Sequence, residues 1–129
     1  MDICLALEVI EHIYGSKAFL SEVHRVIKPG GTFILTTPNI CNLRYRIAFM
    51  FGHLPSLAAK ADMTYLDHRF GHIRDYTFKE IKSLLGACGF QILRFQSDGI
   101  SFLSKTVLPQ FLLPITFGDS IIVMAQPNK

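Results

Sequence analysis

The chain has no run of five like charges, no CxxC pair, no internal repeat and no low-complexity segment. Each absence removes a class of protein. With 13 basic residues against 10 acidic and a formal net charge of +3, it offers neither the cationic surface of a nucleic-acid binder nor an acidic tail. Its three cysteines, Cys4, Cys41 and Cys88, are odd in number and widely spaced, which argues against a disulfide framework or a thiolate zinc site. Reduced thiols in the cytoplasm are the expectation. The N-terminus lacks a basic region before its apolar run and carries Asp2, Glu8 and Glu11, unlike a secretory signal. The apolar stretch from Ile100 to Phe117 is broken by Lys105, Pro109, Gln110 and Pro114 and is barely long enough for a bilayer, so it reads as a cover for a sheet.

What is present is a chain of 129 residues, 50% of them hydrophobic, enough for one modest core and a single domain over 1–129. Ile3 to Leu7 is a short, near-continuous apolar run, the pattern of a parallel strand covered on both faces. From Ser16, a plausible N-cap, Phe19, Leu20, Val23, Val26 and Ile27 recur at helical spacing, and Pro29-Gly30-Gly31 stops the helix. Thr32 to Thr36 is a second buried strand, which gives a strand, helix, strand unit with a right-handed crossover. A helix follows over Ile40 to Phe51. Pro55 to Tyr76 has weak periodicity and reads as a loop or lid. Thr77-Phe78-Lys79-Glu80 fits a capping box for a helix whose buried stripe is Phe78, Ile81, Leu84 and Leu85, with Gly89 as its stop. Phe90 to Gln96 and Ser120 to Gln126 are the last two strands. The order predicts a small three-layer α/β sheet of about four strands.

Four pieces, Glu8-Val9-Ile10-Glu11-His12, a helix ending Arg25-Val26-Ile27-Lys28-Pro29-Gly30-Gly31, the strand Thr32 to Asn39, and a later helix ending Ala87-Cys88-Gly89-Phe90, occur in the order and spacing of one family. Together they resemble the C-terminal half of class I S-adenosylmethionine-dependent methyltransferases of the small-molecule group. The resemblance covers essentially the whole chain. It implies a partial Rossmann-like sheet made of the family's strands four to seven, in the order 4-5-7-6 with the last strand antiparallel. The glycine-rich turn after the family's first strand has no counterpart here, because Gly30-Gly31 and Gly86 to Gly89 are helix ends. The acidic residue that binds the cofactor ribose is also without a counterpart. The cofactor implied is S-adenosylmethionine, with an incomplete pocket.

Site residues follow from the same resemblance. Leu7, Glu8 and Val9 line the methionine end of the cofactor, at the strand ends where open α/β sheets hold ligands. His12 lies near the point of methyl transfer, and His72 borders the pocket ahead of the Thr77 helix; either imidazole suits a general base. Pro38, Asn39, Arg44 and His68 are acceptor contacts by this reading, while a strand terminator, a helix cap and a solvated helix flank explain the first three as well. Glu8, Glu11 and His12 also resemble the divalent-metal ligands of the quinone O-methyltransferase branch. Arg44 and Arg46 beside Tyr45 and Phe49 offer a face for a lipid or phosphate head group, which a solvated helix flank explains as well, and the Ile100 to Phe117 connection is compatible with an enlarged apolar acceptor pocket or a peripheral membrane-surface contact besides covering the sheet.

Two functions are compatible with these features. One is a methyltransferase, or its C-terminal portion, acting on a small-molecule acceptor. The other is a non-catalytic α/β module whose first strand, with an unpaired edge, joins a second copy or the rest of a methyltransferase sheet supplied in trans.

Overall fold

A computed structural model describes residues 1–53, 72–102, 105–108 and 114–129. The predicted lid over Pro55 to Tyr76 therefore lies outside the described residues up to position 71, and His68 with it. The elements are β1 (Ile3–Leu7), α1 (Ser16–Val26), β2 (Thr32–Pro38), α2 (Leu43–Met50), α3 (Phe78–Ala87), β3 (Phe90–Gln96), β4 (Ile100–Phe102), β5 (Lys105–Leu108) and β6 (Ser120–Pro127).

Four strands form one sheet in the order β1-β2-β6-β3. β1 and β2 run parallel with Ile3 opposite Thr32 and Leu7 opposite Thr36. β6 is antiparallel to both of its neighbours, β2 and β3. This is the 4-5-7-6 order, with the antiparallel final strand, that the resemblance implied. Among the described residues β1 is an edge, with β2 as its one sheet neighbour.

The pleat explains where the core sits. Ala6, Phe33, Leu35, Val123 and Ala125 project from one face and pack with Leu20, Val23 and Ile27 from the α1 region and Ile81 and Leu85 of α3. Full burial of each large aliphatic side chain stabilises the fold by roughly 1.5–3 kcal/mol. The opposite face differs from the expectation of strands covered on both sides. Ile3, Leu5 and Leu7 are 62%, 58% and 54% exposed, because none of the described helices lies over them. β2 accordingly alternates between buried and half-buried residues.

The helix ends show why each helix starts where it does. At α3 the Thr77 hydroxyl accepts from the Glu80 N–H at 3.2 Å while the Glu80 carboxylate accepts from the Thr77 N–H at 2.8 Å, the reciprocal box foreseen from the sequence. Gly89 follows with φ of 80°, a left-handed conformation that only glycine adopts at little cost. α2 is capped by Asn42, whose side chain accepts from the Tyr45 N–H at 2.9 Å. At α1 the expectation fails by one residue. Gly15 occupies the cap, and Ser16 lies inside the first turn with its hydroxyl 2.8 Å from that of Tyr76.

Within the Ile100 to Phe117 connection, the described residues form an antiparallel β4–β5 pair and a short 3-10 turn at Ile115–Phe117. Among the described residues, no helix is long and apolar enough to cross a membrane.

Candidate functional site

Three pieces of chain meet at the C-terminal ends of β1 and β2. The first is the end of β1 itself, where Glu8 adopts φ of 53° and its N–H donates to both the carbonyl and the hydroxyl of Thr36 at 3.1 Å. A left-handed backbone in a non-glycine residue is strained, and such strain persists where its surroundings enforce it. It turns the chain abruptly into the 3-10 turn Ile10–His12, leaving Leu7 and Val9 exposed at the sheet's end.

The second piece is the end of β2. Glu11 is 1% exposed, and its Oε2 accepts from the Thr37 hydroxyl at 3.0 Å. Its Oε1 has no hydrogen-bond partner and stands 3.9 Å from Nε2 of His12. The third piece is the stretch His72 to Tyr76. Ile73 and Arg74 donate their N–H groups to the Glu11 carbonyl at 2.8 and 3.2 Å, and Tyr76 bridges to Asn39. His72 is thereby held beside His12, their ring centroids 4.9 Å apart and edge-on. Nδ1 of His72 is 3.9 Å from Oδ1 of Asp75, and both atoms are buried without a hydrogen bond.

The two histidines singled out in the sequence, 60 positions apart, therefore share one site with Glu11. One donor atom from each of Glu11, His12 and His72 lies within 4.8 Å of the other two. The metal set drawn from the sequence was Glu8, Glu11 and His12; the donors that converge include His72 in place of Glu8. Glu8 faces more open surroundings, yet loss of water around its carboxyl raises its pKa above the ordinary 4.5, the Thr36 hydrogen bond opposing and the Glu11 charge adding to the rise.

The acceptor-side residues behave differently. Asn39 is fully buried, and its amide donates to the carbonyls of Thr116 and Gly118 at 2.9 and 2.8 Å while accepting from the Cys41 N–H at 3.0 Å. Its side chain ties the end of β2 to the turn before β6. Pro38 lies in the β2–β6 ladder opposite Ser120. Arg44 projects from α2 and pairs with Asp119 at 2.9 Å, while the Arg46 guanidinium stacks 4.8 Å from the Phe117 ring centre. Thr36, Thr37, Asp75 and Tyr76 escaped the sequence reading. A hydroxyl at the inward position of an otherwise apolar strand was the one available signal, at Thr37. A cleft of about 480 Å³ lined by Lys17, Arg74, Asp75, Tyr76, Glu80 and Ser83 opens between α1 and α3 and reaches Asp75, the neighbour of His72.

The family model described as a methyltransferase domain matches residues 1–94. The chain belongs to the class I S-adenosylmethionine-dependent methyltransferase family. It is similar to a probable S-adenosylmethionine-dependent methyltransferase of Mycolicibacterium smegmatis, 33% identical over 92 residues, which are 71% of this chain and 29% of that protein. The human mitochondrial ubiquinone biosynthesis O-methyltransferase is 34% identical over 65 residues, covering 50% of this chain and 18% of that one. A solved methyltransferase from Thermotoga maritima, described as a possible histamine N-methyltransferase, superposes with a TM-score of 0.67 at 16% identity over 98% of this chain and 56% of its own. This methyltransferase chain thus spans less than a third of the length of the curated relatives it matches. S-Adenosylmethionine is the family's cofactor. At the end of β1, exposed Leu7 and Val9 flank the Glu8 carboxyl.

Proposed function

We propose that this chain forms the acceptor side of a small-molecule methyltransferase site, with Leu7, Glu8 and Val9 against the methionine end of S-adenosylmethionine. The convergence of Glu11, His12 and His72 at the ends of two parallel strands supports the reading, since that is where open α/β sheets place ligands. The cofactor supplies an electrophilic sulfonium methyl. With it bound, an acceptor oxygen or nitrogen would form a bond to that methyl as the methyl–sulfur bond breaks, its electron pair remaining on sulfur as a neutral thioether, while an imidazole would take the proton the acceptor loses. His12, whose side chain is 42% exposed, is the residue placed to take that proton and pass it to solvent. His72 and the fixed strand ends hold the acceptor in line, the larger part of the acceleration for such a transfer. Pro38, Asn39, Arg44 and His68 remain the acceptor-contact proposals, Asn39 through positioning. Three free cysteines accord with a reducing, cytoplasmic setting.

Calorimetric titration with S-adenosylmethionine tests the reading. Micromolar binding by the chain, weakened by Glu8→Ala, supports it. Absence of binding by the chain and by a protein carrying it within a complete methyltransferase domain overturns it.

A second reading rests on the exposed Ile3, Leu5 and Leu7 of the edge strand β1. In it the strand pairs with another copy or with a complementary sheet half, and the module does no chemistry itself.

A further inference from the structure

We infer that a pocket beside the start of α3 binds a small oxyanion, a phosphate or carboxylate group carried on a short apolar body. The pocket holds about 290 Å³ between the loop after β2, the helix α2, the first turn of α3 and the turn before β6, and Cys41, Phe78 and Thr116 are among its walls. That volume suits a small molecule. Two charged side chains line it, Arg46 and Lys79, and both are positive. None of the residues lining it carries a carboxylate.

Arg46 is fixed in place without being neutralised. Its Nε donates to the Cys41 carbonyl, its Nη2 lies 3.5 Å from the Thr116 carbonyl, and its guanidinium stands 4.8 Å from the Phe117 ring centre. None of these partners is a carboxylate, and Nη1 has no partner among the described residues. Arg44 differs, since Asp119 matches it at 2.9 Å. Lys79 makes no ion pair among the described residues. The neutral polar groups of the walls are already engaged: the Asn39 amide donates to the Thr116 and Gly118 carbonyls, and the Thr77 hydroxyl is bonded to Glu80. What the pocket offers a ligand is therefore positive charge beside apolar surface. A guanidinium presents a planar fork that matches phosphate and carboxylate, and one already held by its neighbours loses little rotamer freedom on binding. Glu8, Glu11, His12 and His72 do not line the pocket, so the inference stands apart from the methyl-transfer reading.

Titration of the full chain with phenyl phosphate, hexanoate, inorganic phosphate and phenol, followed through its backbone amide resonances, decides the matter. Saturable shifts at the amides of Cys41, Phe78, Lys79 and Thr116 are expected with phenyl phosphate or hexanoate, at a dissociation constant below about 1 mM. The tighter of the two names the anionic group. Inorganic phosphate lacks the apolar body and phenol lacks the charge, so each should bind at least about tenfold more weakly. Arg46→Gln should weaken binding by at least about tenfold, the loss of a charge-assisted bond, and leave titration with S-adenosylmethionine unchanged. Lys82→Gln, the same change of charge at an exposed position of α3 that does not line the pocket, should alter nothing. Circular dichroism checks the fold of each variant. Should Arg46→Gln fail to fold, Lys79→Glu reverses a charge on an exposed side chain and carries the test, with weaker binding expected. Shifts that do not saturate, or equal affinities in the wild type, Arg46→Gln and Lys79→Glu, overturn the site. Phenol bound as tightly as phenyl phosphate overturns the anion assignment, and inorganic phosphate bound as tightly overturns the apolar body.

Discussion

The carboxylate of Glu11 accepts the Thr37 hydroxyl at 3.0 Å, joining the turn after β1 to the end of β2 through two side chains that are both closed to water. Together with the Glu8 N–H bonds to Thr36, it ties the two strand ends that build the site to each other. Thr37→Val keeps the shape and removes the donor, leaving both Glu11 oxygens unpartnered. A cost of about 1–3 kcal/mol is expected, more than an ordinary surface change would bring. Urea denaturation measures it. A midpoint equal to the wild type would mean that water or an ion already satisfies the carboxylate.

Glu8 makes a pH prediction whose sign is fixed. Burial raises its carboxyl pKa above 4.5 in the folded state, so between the ordinary and raised values the folded form holds more proton than the unfolded. The contribution of this group is therefore fully present below the ordinary value and is lost as pH rises through the raised one. Glu8→Gln removes the titration and should flatten that part of the stability profile relative to the wild type. Parallel profiles for the two proteins from acid to neutral pH would refute the assignment. The backbone gives a companion test: φ of 53° costs a non-glycine residue roughly 1–2 kcal/mol, so Glu8→Gly should be neutral or stabilising where Glu8→Ala is not.

Local signals were readable in the sequence because their causes are local. The capping box at Thr77, the glycine stop at Gly89 and the bounds of β3 depend on residues within a few positions of one another. The side-by-side parallel β1 and β2 followed from connection rules, but the 4-5-7-6 order came from the family likeness alone. Ser16 illustrates the limit. It has the chemistry of an N-cap, yet its hydroxyl lies against Tyr76, 60 residues later, and Gly15 takes the cap. Likewise an apolar run such as Ile3 to Leu7 says that its side chains suit burial, not whether a second layer lies over them. His12 and His72 were both selected as site residues, whereas Asp75 and Thr37 were not, since their roles arise from partners in other elements.

The exposed face of β1 yields a test of self-association. Leu5 projects away from the helices and is more than half open to solvent, so Leu5→Lys should move stability by no more than about 0.5 kcal/mol. The same change places a charge on an uncharged edge strand, a device that discourages edge pairing. Sedimentation velocity should show a fall in any self-association of the wild type. Unfolding of the variant would show that this face is covered in the folded protein, and unchanged association would place the contact elsewhere.

Gly30 and Gly31 look equivalent in the sequence, but the structure separates them. A Cβ on Gly30 would meet nothing within 4 Å, so alanine there bears only the penalty of φ at 75°, about 1–2 kcal/mol. At Gly31 a Cβ would stand 2.7 Å from Cγ2 of Ile27, 3.0 Å from the Asp2 carbonyl and 3.1 Å from that of Lys28. Ile27 is a core residue and the two carbonyls are rigid backbone, so little can give way. Moreover, the Gly31 N–H donates to the Lys28 carbonyl at 2.9 Å, closing the turn, and the Thr32 N–H donates to the Asp2 carbonyl at 2.9 Å, joining the start of β2 to the residue before β1. Gly31→Ala should therefore cost at least the 1–3 kcal/mol typical of overpacking and lower the protection of β2 amides from hydrogen exchange. Gly30→Ala should leave that protection intact. Equal losses at the two positions would mean that backbone conformation, and not the close approach of α1 to the start of β2, dictates glycine at this turn.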